Sequence, residues 1–208
     1  MNRSFATRAL IVLFAVAAFT ASCGGDEPTR ELAGVRRTPL PDVTGATLPD
    51  VTQNGAPFEF VADEGELLVL YFGYTMCPDV CPTTLADVRS ALRQLDEDDA
   101  GRVEVAFATI DPERDHDDLI AGYVQSFVPG AAALRTADAE QLAAAAEPFG
   151  VVYDVTTADD GEVEVIHSAF TYVIDDRGRL LVTWPFGIPA DDIANDLILL
   201  LDEQAEEV

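Results

Sequence analysis

Cys77 and Cys81 are the residues of this 208-residue chain whose type and spacing most directly suggest chemistry. They lie in the stretch Tyr71-Phe72-Gly73-Tyr74-Thr75-Met76-Cys77-Pro78-Asp79-Val80-Cys81-Pro82. The apolar run Leu67 to Phe72 reads as a buried strand that empties into a glycine- and proline-marked turn. Pro82 is expected to open the next helix, because proline suits a first helical turn, where its missing N–H has no partner to lose. Both thiols therefore stand where a strand hands over to a helix N-terminus. Unpaired N–H groups and the positive end of the helix dipole favour thiolate there, the form that attacks and that binds metal. With three residues between them, the two sulfurs can converge as a disulfide or as two ligands on one metal. A fixed disulfide that only staples the turn is the alternative, although a staple across so short a loop constrains the unfolded chain little.

The elements that must position this pair follow in chain order. Thr44 to Phe60 alternates weakly around Asn54-Gly55, which predicts an N-terminal hairpin. After the strand Leu67–Phe72, Thr83 to Leu95 has helical spacing and runs into an acidic loop, Asp96–Asp99. Val103 to Ile110 reads as a second buried strand and His116 to Phe127 as a helix that stops before Pro129-Gly130. A short strand around Ala133–Arg135 precedes a helix from Asp138, its cap, to Pro148. Val151–Val155 with Glu162–Ile166, and Phe170–Ile174 with Leu180–Trp184, predict two more hairpins around Asp-Asp-Gly and Asp-Arg-Gly. A final helix spans about Ala190 to Gln204. Strands alternating with helices, then a closing hairpin and helix, predict an α/β fold: a central mixed sheet with helices on both faces and an added N-terminal hairpin. A cysteine pair at the end of the first central strand points to a thioredoxin-like version of it.

Composition narrows the setting. The formal charge is −26, and all twelve basic residues are arginine. Such a chain is repelled by nucleic acid and by anionic surfaces, so no nucleic-acid partner is expected. The acidity itself reads as solubility. At the amino terminus, Arg3 and Arg8 precede a mostly apolar run, Ala9 to Ala21, and then Ser22-Cys23-Gly24-Gly25, the parts of an export signal. The run is short for a bilayer span, which needs about 20 residues. The expected organisation is a lipoprotein-type signal over 1–22, a tether over 23–43 rich in glycine and proline, and one domain over 44–208. Lipidated Cys23 would anchor the chain to the outer face of the cell membrane; an uncleaved anchor and plain secretion are the alternatives. Each places the domain in an oxidising compartment, where a cysteine pair can form a disulfide.

Only two histidines exist. His116, at the acidic start of a helix, reads as a solvated surface residue. His167 follows the strand Glu162–Ile166 and precedes Phe170–Ile174, at a strand junction.

The cysteine stretch resembles the signature of the Sco/SenC family. Ile110-Asp111-Pro112-Glu113-Arg114-Asp115, Phe149-Gly150-Val151-Val152-Tyr153 and His167-Ser168 with Thr171-Tyr172-Val173-Ile174-Asp175 look like the family's further blocks, in family order. The resemblance implies a thioredoxin-like fold and one copper ion, Cu(I) or Cu(II), held by Cys77, Cys81 and His167. It also implies service to the copper-bearing subunit of cytochrome c oxidase, at its dinuclear copper site, with another extracytoplasmic protein as copper donor. The chemistry agrees: two soft thiolates select Cu(I), and an imidazole adds a ligand that also suits Cu(II). Ile166 stands where the family has an aspartate, which removes a carboxylate from beside the histidine. No proline stands just ahead of Phe170. Asp79 either tunes the thiols or holds the turn, and Asp111 either faces the site or caps the next segment. Two rival readings remain. In one, a thiol–disulfide oxidoreductase uses Cys77 and Cys81 as a redox pair to reduce the same client. In the other, a peroxidase of this fold needs Thr75 and an arginine that the sequence does not place.

Overall fold

Strand β3, Leu67–Gly73, is buried along its whole length and sits near the middle of a seven-stranded mixed sheet. The computed structural model describes residues 31–207. The other strands of this sheet are β1 (Thr47–Asp50), β2 (Ala56–Glu59), β4 (Val103–Thr109), β5 (Ala132–Leu134), β8 (Phe170–Ile174) and β9 (Leu180–Pro185). Their order is β2-β1-β5-β4-β3-β8-β9. The strands β3, β4 and β5 run parallel, whereas β8 lies antiparallel against β3, with Tyr71 opposite Thr171.

A strand buried on both faces reads as a continuous apolar run, and its alternate side chains serve two cores. Leu67, Val69 and Tyr71 point into one core with helices α1 (Val80–Leu92), α3 (Asp117–Phe127) and α5 (Ala190–Glu207). Leu68, Leu70 and Phe72 point into the other, with α4 (Ala139–Ala146) and the aromatic group Phe60, Phe149 and Tyr172. Helices thus cover both faces, as expected.

The N-terminal hairpin is present and extends the sheet beside β5, where Asp50 pairs with Leu134. Asn54 and Gly55 both adopt the left-handed backbone that its loop requires. One expected hairpin stands apart: β6 (Tyr153–Thr157) and β7 (Val163–His167) form their own two-stranded sheet. The acidic stretch expected as a loop is instead a short helix, α2 (Glu97–Ala100). The Asp96 carboxylate accepts from the Asp99 N–H at its start, and three acidic residues in the first turn suit the positive end of the helix.

The described part of the stretch expected as tether is fastened to the domain. Val35 pairs with Thr183 and Asp42 with Arg179, and Val43 is fully buried. The buried Asp196 carboxylate accepts from the N–H groups of Ala33 and Gly34 and from Trp184 Nε1, each at 2.8 Å. Proline and glycine made this stretch look loose, but a fixed carboxylate and an open strand edge supply its backbone with partners. Residues 1–30, including the expected signal, Cys23 and the start of the tether, lie outside the described residues. Among the described residues, no helix is long and apolar enough to cross a membrane.

Candidate metal centre

Helix α1 begins at Val80, two residues earlier than the sequence suggested. Pro82 is accommodated inside the first turn because the first four N–H groups of a helix have no intrahelical acceptor. This start separates the two cysteines. Cys81 is a helical residue with no exposed surface, whereas Cys77 lies in the preceding loop and is partly exposed. His167 closes β7 and reaches the pair from 86 residues away: its Nε2 stands 3.7 Å from Cys81 Sγ. The two sulfurs and the imidazole offer ligand atoms that all lie within 4.8 Å of one another. Bonds of about 2.0–2.3 Å from one ion to nitrogen and sulfur, at a tetrahedral to trigonal angle, separate the donors by roughly 3.7 Å. The group therefore has the dimensions of a metal site. Both cysteines are free thiols.

Gly73 permits this arrangement. A Cβ built there would lie 2.8 Å from the Tyr71 ring, 3.0 Å from Cys81 Sγ and 3.1 Å from Phe107. Gly73→Ala is therefore expected to displace the Cys81 sulfur and to destabilise the protein by about 1–3 kcal/mol, the usual cost of overpacking. Thermal melting and metal titration of that variant check both effects; a variant with unchanged melting and metal affinity would contradict the packing argument.

The three groups differ in electrostatics. Burial pushes the Cys77 thiol up, but N–H groups of Cys81, Asp79 and Val80 aimed at its sulfur outweigh burial and hold it below the usual thiol range. The Cys81 N–H to Cys77 Sγ contact is 3.3 Å. This is the helix N-terminus at work, and it acts on the cysteine outside the helix. Burial pushes Cys81 up to about 12. Burial also lowers His167, which favours the neutral imidazole that a metal needs. His167 Nδ1 lies 3.0 Å from the Ser168 carbonyl, which can only accept, so Nδ1 carries the proton and Nε2 keeps its lone pair toward Cys81. The Ser168 carbonyl thus orients the ring. Ile166 itself is 61% exposed.

Around the three residues stands a shell only partly legible in the sequence. Tyr71 and Tyr74 meet the His167 ring edge-on at 6.2 and 5.7 Å. Arg114 lies over the Tyr74 ring at 5.8 Å and pairs with the buried Asp111 carboxylate. Asp111 therefore holds the arginine turn and is not among the ligand group. Asp79 is exposed and makes no side-chain capping bond; only its backbone N–H serves Cys77. His116 is exposed at the start of α3, away from the ligand group.

Asp115, fully buried, accepts from the Thr75 N–H at 3.0 Å, the Thr75 hydroxyl at 2.5 Å and the Thr109 hydroxyl at 2.6 Å. It ties the cysteine loop to the end of β4. Thr75 is thereby engaged, as is Arg114, and neither is arranged as a peroxidase pair. Asp115 belongs to the block Ile110–Asp115, but its role depends on contact across 40 residues, which spacing does not reveal. A cleft of about 310 Å³, lined by Tyr74, Cys77, Pro78, Val165, Ile166 and His167 among others, opens this centre to solvent from the Cys77 side.

A family model described as SCO1/SenC matches residues 41–202, most of the chain. The chain belongs to the SCO1/SenC family. A SCO2-like protein of Rickettsia prowazekii is 33% identical over 145 residues, which cover 69% of this chain and 70% of that protein. Among solved structures, apo Sco1 of Thermus thermophilus aligns with a TM-score of 0.69 and 29% identity, over 87% of this chain and 99% of that one. ScoI of Bradyrhizobium japonicum, solved with copper bound, aligns with a TM-score of 0.64 and 31% identity, over 75% of this chain and 98% of that one. The thioredoxin-like fold expected from the cysteine pair is thus the fold this SCO1/SenC chain shares with Sco1 structures.

Proposed function

We propose that this protein is an exported, membrane-tethered copper chaperone that carries one copper ion on Cys77, Cys81 and His167 for the dinuclear site of cytochrome c oxidase. The observation that carries this reading is the convergence of two thiols and a neutral imidazole within 4.8 Å, from segments far apart in sequence. Thiolates suit Cu(I) and the added imidazole suits Cu(II), so the set can hold either state. The copper-bound relative from Bradyrhizobium and the description of the Sco family as cytochrome c oxidase assembly proteins agree with it. The cleft on the Cys77 side leaves the cargo a way out to a client. Copper titration of the reduced protein tests the reading: one ion per chain is expected, and no binding would overturn it.

Partly exposed Cys77, held toward thiolate beside a buried second thiol, also supports exchange with a client disulfide. We keep thiol–disulfide exchange as the second reading, compatible with the first because copper loads only onto reduced thiols.

The tether belongs to the same proposal. Cleavage before Cys23 and lipidation of that residue are expected, so mass spectrometry of the membrane fraction should find Cys23, lipid-modified, at the N-terminus. A mature chain that retains Met1–Ser22 would mean an uncleaved anchor instead.

A further inference from the structure

We propose that Tyr71 is a positioning residue of this centre, whose hydroxyl donates a hydrogen bond to the sulfur of Cys81 and makes the two cysteines electronically unequal. The donor oxygen lies 3.7 Å from Cys81 Sγ. Both residues are buried, Tyr71 at 2% exposure and Cys81 at 0%. The contact is built in: the side-chain space that Gly73 leaves empty is filled by the Tyr71 ring and by Cys81 Sγ. Phe107, at 5.9 Å, and the edge-on His167 ring hold the tyrosine from two sides.

The choice of tyrosine calls for a reason. Tyr71 ends the β3 face that begins with Leu67 and Val69, deep in the larger core. Phenylalanine would fill that place without burying a hydroxyl, and a buried hydroxyl costs free energy unless it finds an acceptor. Cys81 Sγ is that acceptor. Each sulfur also receives backbone N–H, Cys77 from the helix start and Cys81 from Tyr74, so the Tyr71 hydroxyl is the donor that Cys81 has and Cys77 lacks. A hydrogen bond to a cysteine sulfur draws electron density from it, which favours the electron-rich partner of any couple the sulfur joins. Tyr71 therefore favours the dithiol over the Cys77–Cys81 disulfide. It also favours Cu(I) over Cu(II), a clause that rests on the proposed copper site.

Tyr71→Phe removes the bond and keeps the ring. In metal-free protein equilibrated with dithiothreitol, the protein disulfide breaks as it takes up two electrons and two protons, and the reagent closes to its cyclic disulfide. The variant's equilibrium is expected to lie about tenfold further toward the disulfide, roughly 30 mV more negative for this two-electron couple. In Cu(II)-loaded protein the thiolate-to-copper absorption band is expected to move to longer wavelength, because the sulfur has become the better donor.

Phe107→Leu loosens the same packing but leaves the hydroxyl, and should leave the equilibrium in place. Incorporating 3-fluorotyrosine at position 71, a stronger donor, should move it the other way, and that arm decides the matter even where Tyr71→Phe folds poorly. An unchanged equilibrium with both Tyr71 replacements, or an equal shift with Phe107→Leu, would overturn the proposal. A wild-type protein that takes up no copper would instead refute the copper reading, leaving the metal-free arm to judge Tyr71.

Discussion

Replacing Cys77 or Cys81 with serine is expected to leave the reduced protein without stably bound copper, and His167→Ala to divide the two oxidation states. Serine keeps the shape but offers a hard oxygen that stays protonated, so the ion retains one soft ligand and the imidazole. Losing groups that merely orient ligands costs 10–100-fold in metal affinity, so losing a thiolate ligand should exceed about a hundredfold. Cu(I) is content with two thiolates and should weaken only in part without His167. Cu(II) prefers nitrogen and a higher coordination number and should be lost. The Cys77–Cys81 disulfide should still form reversibly in His167→Ala, since exchange needs thiolate, access and a suitable potential but no imidazole ligand. Copper titration of the purified variants, paired with complementation of a strain lacking the protein, checks these outcomes. Normal copper content in either cysteine variant would remove the metal assignment. Full rescue of oxidase activity by a His167→Ala protein that holds no copper would favour the oxidoreductase.

Asp115→Ala should damage both stability and copper binding although it leaves all three proposed ligands untouched. Its carboxylate is the common acceptor for the Thr75 N–H, the Thr75 hydroxyl and the buried Thr109 hydroxyl. Alanine leaves the buried Thr109 hydroxyl and the part-buried Thr75 donors without their acceptor, and each orphaned buried group costs about 1–3 kcal/mol. A loss of about 3 kcal/mol is expected, which for a domain of this size lowers the melting temperature by roughly 6–12 °C. The same change frees the loop that carries Cys77, so copper affinity should fall with stability. Calorimetry and copper titration on one preparation test the pair of effects. A stable variant with unchanged affinity would mean that the cysteine loop does not depend on Asp115.

The sequence carried the frame because its signals are local. Strand β3 is legible as an unbroken apolar run, and the helices as repeats at three and four residues, since each pattern follows from backbone geometry alone. The cysteine pair is legible because its partners are neighbours in the chain. Where the sequence misled, the deciding contact came from elsewhere. Residues 33–43 look loose until Asp196 and the edge of β9 supply partners for their backbone. The acidic stretch after α1 looks like a loop until Asp96 caps it.

The centre divides along the same line. Spacing singles out Cys77 and Cys81, but only the fold decides that one is partly exposed and held toward thiolate while the other is buried and pushed up to about 12. His167 stood out in the sequence through resemblance; tertiary structure sets its tautomer, through the Ser168 carbonyl, and brings Nε2 to Cys81. Tyr71, Asp115 and the empty space at Gly73 acquire meaning only when the end of β3, the start of α1 and the end of β4 meet in space. Desolvation and hydrogen-bond direction depend on what surrounds an atom in three dimensions, and no spacing along the chain encodes that.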